Sequence, residues 1–104
     1  MIDFSQLDPV IHERGRLAIV TLLASRPRPW AFAELRDELG LSDGNLITHL
    51  RTLEAAGFAR STKQSGPGRP HTLYSLTPAG QSAFRRYLDV LGRLVESSRP
   101  RRKK

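Results

Sequence analysis

The 104-residue sequence contains no cysteine, and this absence removes several kinds of protein from consideration. Without thiols there is no disulfide framework, no thiolate metal site and no cysteine nucleophile. No apolar run approaches the roughly 18 residues that a transmembrane helix needs, and the first residues lack the basic and then apolar pattern of a signal peptide. These absences predict a cytoplasmic protein of one domain with no membrane segment.

Catalytic and cofactor-binding patterns are missing as well. The sequence has no Ser/His/Asp arrangement with supporting context, no phosphate-binding loop and no paired carboxylates in an apolar setting. The three histidines, His12, His49 and His71, are dispersed along the chain, which does not favour a metal site. We therefore predict a protein that is not an enzyme and that needs no metal and no cofactor.

Acidic residues are scarce in the second half of a chain whose net charge is +7. Residues 51–104 hold twelve of the 17 basic residues but only three of the 10 acidic ones. A basic half suggests a polyanion as partner, whereas the plainer interpretation is a soluble surface followed by a basic tail. We expect residues 98–104 to be that disordered tail.

The segment Ser42–Gly57 predicts one helix with two different faces. Leu46, Leu50 and Leu53 recur at i, i+4 and i+7, so one side belongs to a core. Ser42 is a favourable N-cap, and Gly57 can end the helix in a left-handed conformation. The other side carries amide, hydroxyl, imidazole and guanidinium groups, which can bind base edges and phosphates or can simply be solvated.

The residues before this segment predict a helix–turn–helix of which Ser42–Gly57 is the second helix. We expect Asp8-Pro9 to open a first helix that continues to about Ser25, with a bend or a close backbone approach at Gly15. After a turn at residues 26–29 and a short strand at residues 30–32, residues 33–39 read as a short helix that Gly40 ends. A short helix, a turn with glycine and a longer helix make a helix–turn–helix.

Two extended segments follow and predict a hairpin. Residues 58–64 and 71–76 flank a loop rich in glycine and proline at residues 65–70. Thr77-Pro78 then starts a last helix, about 78–97. The order of elements predicts a winged helix-turn-helix, a mainly α fold with a small β-hairpin (α+β), in which residues 1–97 form the DNA-binding domain and its C-terminal helix.

Three stretches of the sequence resemble a known family: LDPVIHERGRLAIVTLL, FAELRDELGLSDGNLITHLRTLEAAGF and GRPHTLYSLTPAG. They are similar to small winged-helix transcriptional regulators related to the MarR and ArsR groups, from about Leu7 to Phe84. The resemblance implies a homodimer that controls transcription, with helix 42–57 in the major groove and residues 65–70 as the wing. It identifies no operator and no small-molecule effector, and metal sensing of the ArsR kind is not expected without cysteine.

The predicted contacts with double-stranded DNA lie on this helix and on the wing. Asn45 and Thr48 are placed for base edges, Arg51 suits a phosphate, and Arg69 suits the minor groove or the backbone. His49 can either meet DNA or pack against the neighbouring helix. The full predicted set is Ser42, Asn45, Thr48, His49, Arg51, Thr52, Lys63 and Arg69.

The last helix is about 30 Å long at 1.5 Å per residue, more than one small domain can cover. We predict that its apolar stripe forms a homodimer interface and that Ile2 and Phe4 can join it. Packing within the chain is the alternative for the first part of the stripe. The predicted interface residues are Tyr87, Leu88, Leu91, Leu94 and Val95. The alternative function is a winged-helix module that binds another protein without specific DNA binding.

Overall fold

Four α-helices and three strands follow one another in the computed structural model, which describes residues 3–66, 68 and 71–100. After a 3-10 turn at Phe4–Gln6, the elements are α1 (Arg14–Ala24), β1 (Trp30–Ala31), α2 (Phe32–Leu39), α3 (Asp43–Ala55), β2 (Ala59–Gln64), β3 (His71–Leu76) and α4 (Pro78–Ser97). The antiparallel sheet has the order β1-β3-β2. This arrangement is a winged helix-turn-helix, which confirms the predicted fold class.

The first helix begins later than the sequence predicts. The Asp8 carboxylate accepts from the amide of Val10 at 2.8 Å, and the Asp8 carbonyl accepts from the amide of His12 at 2.7 Å. These bonds form a turn, and α1 starts only at Arg14, where the Glu13 side chain caps it. The predicted helix start at Asp8-Pro9 is therefore wrong, because aspartate side chains bond their own backbone in turns as well as at helix caps.

The caps of α2 and α3 fix the helix–turn–helix. The Glu34 carboxylate accepts from the Ala31 amide at 2.9 Å, which satisfies a free donor at the start of α2. Gly40 ends this helix with φ at 66°, and the Ser42 hydroxyl accepts from the Asn45 amide at 3.1 Å at the start of α3. The predicted cap at Ser42 is confirmed, and Gly57 follows the helix with φ at 79°, as predicted.

The sheet is anchored at one end and free at the other. Tyr74 and Leu76 of β3 are buried in the core, and Ala59, which pairs with Leu76, is buried too. The rest of β2, residues 60–64, is exposed. The hairpin therefore leaves the core as a wing. Residues 67, 69 and 70 of its predicted loop lie outside the described residues.

Two clusters of buried side chains hold the helices together. The main core joins α1, α2, α3 and the sheet, and its members are Ile19, Val20, Leu23, Leu35, Leu46, Leu50, Leu53, Ala59, Tyr74 and Leu76. A second cluster joins the N-terminal segment to α4 through Leu7, Ile11, Tyr87 and Val90. Among the helices of the described chain, none has the length and apolar character needed to cross a membrane.

Candidate nucleic-acid interface

The outer face of α3 lies opposite three leucines that are fully buried. Leu46, Leu50 and Leu53 have no exposed surface. Successive residues of a helix are 100° apart, so the residues that point away from these leucines lie one or two positions from them in the sequence. Gly44, Thr48 and Arg51 are exposed near the centre of that face, as is Ala55 at its end, and Asn45 is exposed at its edge. Thr52 also lies at the edge and is half-buried. We call Gly44, Asn45, Thr48, Arg51 and Thr52 the α3 outer face.

Both threonines of the α3 outer face are bonded to the helix backbone. The Thr48 hydroxyl donates to the Gly44 carbonyl at 2.8 Å, and the Thr52 hydroxyl donates to the Thr48 carbonyl at 3.1 Å. Each hydroxyl hydrogen is therefore committed to the protein. What remains for an outside partner is the methyl group and the unused lone pair of each threonine.

The polar ends of Asn45 and Arg51 are available to a ligand. Within residues 3–66, 68 and 71–100, the Asn45 amide makes no side-chain hydrogen bond and the Arg51 guanidinium makes no ion pair. Both side chains are exposed. A free amide can bond both N6 and N7 of adenine, and a free guanidinium can bind phosphate. Ser42 is already engaged as the cap of α3, although its hydroxyl can still donate.

His49 does not lie on the α3 outer face. Its Nδ1 is 3.5 Å from Glu13 Oε1 and 3.4 Å from Arg16 Nη1, and its side chain is only 22% exposed. The bond from the Arg16 amide lowers the pKa of the Glu13 carboxyl, so this partner is ionised. His49 therefore connects α3 to α1. These contacts favour the packing alternative over a contact of His49 with DNA.

The imidazole of His49 occupies the space where Gly15 would otherwise carry a side chain. A Cβ on Gly15 would lie 2.6 Å from Nε2 and 2.8 Å from Cδ2 of this ring. The close backbone approach expected at Gly15 is therefore present. Its cause is a side chain from the helix that carries the outer face, because a larger residue at position 15 would push α3 away from α1.

Gly15→Ala is expected to lower the free energy of unfolding by roughly 1 kcal/mol, since the methyl group overlaps the imidazole. In the His49→Ala background the same change should become neutral or stabilising by up to ~1 kcal/mol, because alanine favours helix over glycine. Urea unfolding of the four proteins of this cycle measures the coupling between the two positions. Strictly additive effects of the two substitutions would contradict the contact.

An ion pair reduces the charge at the first residue of α3. Asp43 Oδ1 is 3.3 Å from Arg36 Nη1, and the same guanidinium is 3.1 Å from Asp37 through Nε. These two carboxylates, Asp37 before Asp43, raise the pKa of Arg36. Such exposed pairs add little stability. Their effect here is to offset a carboxylate that would otherwise repel phosphate near the outer face.

The strand register places one basic wing residue on the side of α3. Ser61 pairs with the buried Tyr74, and its hydroxyl donates to the Glu54 carboxylate of α3 at 3.0 Å. Because side chains alternate along a strand, Lys63 shares this face with Ser61. It is exposed and lies further out along the wing. Arg69, the other predicted wing contact, lies outside the described residues.

The stripe on α4 divides into a covered and an uncovered part. Tyr87 is 2% exposed, its hydroxyl lies 2.8 Å from His12 Nδ1, and burial raises its pKa. It belongs to the chain's own second cluster and offers almost no surface to a partner, so its predicted place in a dimer interface is corrected. Leu88 and Val95, by contrast, are 48% and 50% exposed.

Other apolar surface surrounds the exposed part of this stripe. Leu91 and Leu94 are half-buried against the second cluster. An apolar groove of about 560 Å³ lies between α1 and α4, lined by Leu17, Thr21, Ala24, Ser25, Phe84, Tyr87, Leu88 and Leu91. Phe4 is 61% exposed, and Ile2 lies outside the described residues. The uncovered surface thus runs along α4 beside α1.

Gly44 was not among the predicted site residues. It is the second residue of α3, it is exposed, and it lies one turn before Thr48 on the outer face. Glycine in a helix costs at most about 1 kcal/mol relative to alanine. The sequence signal that could have identified it is a glycine at i−4 from a predicted base contact, within a helix that has a good cap.

The fold and the exposed polar helix define a class, the winged-helix DNA-binding proteins. The sequence pattern of the family described as "Winged helix DNA-binding domain" matches residues 16–95. This chain belongs to that family and is a winged-helix transcriptional regulator. The matching family and structures are described as DNA-binding or regulatory proteins, which agrees with the prediction that the chain is not an enzyme.

Similar proteins come from archaea and bacteria. A transcriptional regulator homologue from Pyrococcus horikoshii OT3 is 30% identical, with a TM-score of 0.79 over 85% of this chain and 86% of that one. A MarR-family protein from Enterococcus faecalis V583 shares the fold, at 24% identity and a TM-score of 0.71 over 85% of this chain and 77% of that one.

A curated relative matches a shorter segment. It is an uncharacterized protein of Methanocaldococcus jannaschii, 40% identical over 57 residues, which are 55% of this chain and 62% of that protein. The chain therefore matches less than two thirds of the length of this relative.

Proposed function

We propose that this regulator binds double-stranded DNA sequence-specifically as a homodimer in the cytoplasm and represses transcription. The observation that carries the proposal is the α3 outer face, whose exposed side chains are polar or basic and include no acid. The nearest carboxylate, that of Asp43, lies 3.3 Å from the Arg36 guanidinium, which it shares with Asp37. A surface of this kind suits the major groove, where amide and hydroxyl groups read base edges beside phosphates.

The wing extends the same surface. α3 enters the major groove with Asn45 and Thr48 towards the bases and with Arg51 and Ser42 towards the phosphates. Lys63 reaches the adjacent backbone from β2, because it lies on the strand face that meets α3. Residues 65–70 then lie at the minor groove or the backbone, with Arg69 as the basic group.

The uncovered part of α4 supports a homodimer. Leu88 and Val95 are half-exposed, and an apolar groove beside Leu88 is open to solvent. A second copy related by a twofold axis would bury both, together with the exposed parts of Leu91 and Leu94. Such a dimer presents two copies of α3 to successive major grooves, about 34 Å apart on one side of the duplex.

Repression is the simplest regulatory consequence of this geometry. A homodimer that spans two successive major grooves covers roughly 20 base pairs, counting 10–10.5 base pairs between half-sites and the DNA on either side. Another protein cannot occupy the same groove surface at the same time. We therefore propose that the regulator acts by excluding other proteins from promoter DNA.

The proposal is tested by fluorescence anisotropy with labelled duplexes recovered by selection from random DNA. Binding should weaken steeply with salt. Lys63→Ala should weaken binding to all duplexes alike and reduce the salt slope by about 0.9 per copy, since one phosphate contact is lost. Asn45→Ala should cost about 1–3 kcal/mol on the selected site and relax the preference for one base.

Two results would contradict the proposal. If the wild type binds no duplex at low salt, the DNA-binding function is wrong and the protein-interaction module becomes the better interpretation. If Asn45→Ala weakens all duplexes equally, Asn45 contacts phosphate rather than a base. Glu38→Gln serves as the matched control, because Glu38 is an exposed α2 residue that forms no ion pair among the described residues. Removing the charge of Glu38 in this way should leave the base preference of the protein unchanged.

A further inference from the structure

Nothing in the fold explains the glycine at position 44. A Cβ built on Gly44 would have no protein atom within 4 Å, and the residue has ordinary helical geometry rather than a positive φ. Alanine would therefore fit the free protein and would favour the helix. Glycine here is a cost to stability with no compensating contact inside the described chain.

Three other glycines differ from Gly44 in this respect. A Cβ at Gly15 would meet the His49 ring, and a Cβ at Gly80 would overlap the Phe58 carbonyl. Gly40 has a positive φ that a side chain rarely adopts. The fold accounts for each of these three. Gly92 on α4 has equally open surroundings. Gly44 differs from it by lying on the α3 outer face, where the space is open to a partner of that face.

Gly44 and Thr48 offer a partner of this space no side-chain hydrogen-bond donor. Thr48 lies one turn along the helix on the same face, and its hydroxyl donates to the Gly44 carbonyl at 2.8 Å. This bond restrains the rotamer of Thr48 and occupies both the hydroxyl hydrogen and a lone pair of that carbonyl. The space is therefore bordered by the Gly44 methylene and lies beside a Thr48 side chain that has no hydroxyl hydrogen to donate to a partner. We call it the Gly44–Thr48 notch.

We infer that the Gly44–Thr48 notch receives the 5-methyl group of a thymine. This inference rests on the proposed binding of α3 in the major groove. Among the groups that base pairs present in that groove, the others donate or accept hydrogen bonds, and the thymine methyl is the apolar one. A methyl group on residue 44 would fill the notch and hold the thymine away. Gly44 is therefore a residue that determines specificity, by leaving room for one base.

The test combines one substitution in the protein with one in the DNA. From the site selected by the wild type, each thymine is replaced in turn by deoxyuridine, which lacks the 5-methyl group. At one thymine per half-site the wild type should lose about fourfold in affinity, the equivalent of ~0.8 kcal/mol for one methyl-sized group. Gly44→Ala, which changes both copies, should lose at least tenfold on the thymine duplex. It should recover most of that loss when deoxyuridine replaces the thymine in both half-sites.

Stability measurements separate this effect from misfolding. Gly44→Ala should melt at or above the temperature of the wild type, because alanine favours the helix. Ser82→Ala is the control, since Ser82 is also an exposed helical residue but lies on α4, away from the apolar stripe. It should leave the preference for thymine over deoxyuridine unchanged, with its dimer verified by sedimentation.

The outcomes distinguish the inference from the proposed function. If the wild type binds its selected duplex but Gly44→Ala binds it equally well, the notch has no role and only the inference fails. The inference also fails if Gly44→Ala loses the same factor on thymine and deoxyuridine duplexes at every position. If the wild type binds no duplex at all, the proposed function itself fails.

Discussion

Leu88→Glu is expected to convert the proposed homodimer into monomers at micromolar concentration. Leu88 is 48% exposed in the single chain, so a glutamate is tolerated there by the monomer, but in the proposed dimer it would place a charge without a partner in the apolar seam. A buried charge without a partner costs about 3–5 kcal/mol, which weakens the dimerisation constant more than a hundredfold. Affinity for the full DNA site should fall with it, because each half-site would be held by one copy alone.

Sedimentation velocity measures the assembly, and anisotropy on full and half sites measures the binding. Ser82→Glu is the control, because it adds the same charge to an exposed position near the start of α4, away from the stripe. It should leave the dimer intact. An unchanged dimer for Leu88→Glu, or a wild type that is monomeric at micromolar concentration, would show that the copies do not associate through this face.

Gly80→Ala is expected to lower the free energy of unfolding by about 3 kcal/mol and the melting temperature by roughly 10–20 °C. Gly80 is buried, and a Cβ there would overlap the Phe58 carbonyl, which is backbone and cannot turn aside. The same carbonyl accepts from the Thr77 amide at 3.0 Å. Relief of the overlap would therefore move the start of α4 away from the end of α3.

Thermal unfolding followed by circular dichroism checks this result. Gly92→Ala supplies the comparison, since the same methyl group at an open position of the same helix should raise the melting temperature slightly. If Gly80→Ala melts within a few degrees of the wild type, α4 does not approach Phe58 as closely as described. The effect matters for function because this contact sets the angle between α4 and the helix–turn–helix.

Local sequence signals predicted most of the elements correctly. The cap at Ser42, the Thr77-Pro78 start of α4 and the glycine at position 57 each describe a property of a few neighbouring residues. The signal at Asp8-Pro9 failed for the same reason, since aspartate followed by proline suits a turn as well as a helix start. Here Glu13, five residues later, provides the cap that α1 uses.

The candidate site was predictable where a side chain faces away from the protein. Helical periodicity alone puts Thr48 and Arg51 opposite the three buried leucines and leaves Asn45 beside them. It cannot assign a residue at the edge of the stripe, because the identity of the neighbour there depends on how the helices cross. His49 lies at that edge and contacts Glu13, which is 36 positions away along the chain.

The sequence by itself determined the order of elements, the inward leucines and the exposed polar groups of α3, since caps and periodicity act over one or two turns. Only the tertiary structure decided that His49 packs on α1, that Tyr87 belongs to the chain's own core and that Gly44 has no neighbour. These three facts depend on distances between segments far apart in the chain. Such distances follow from the packing of whole helices, which no short stretch of sequence specifies.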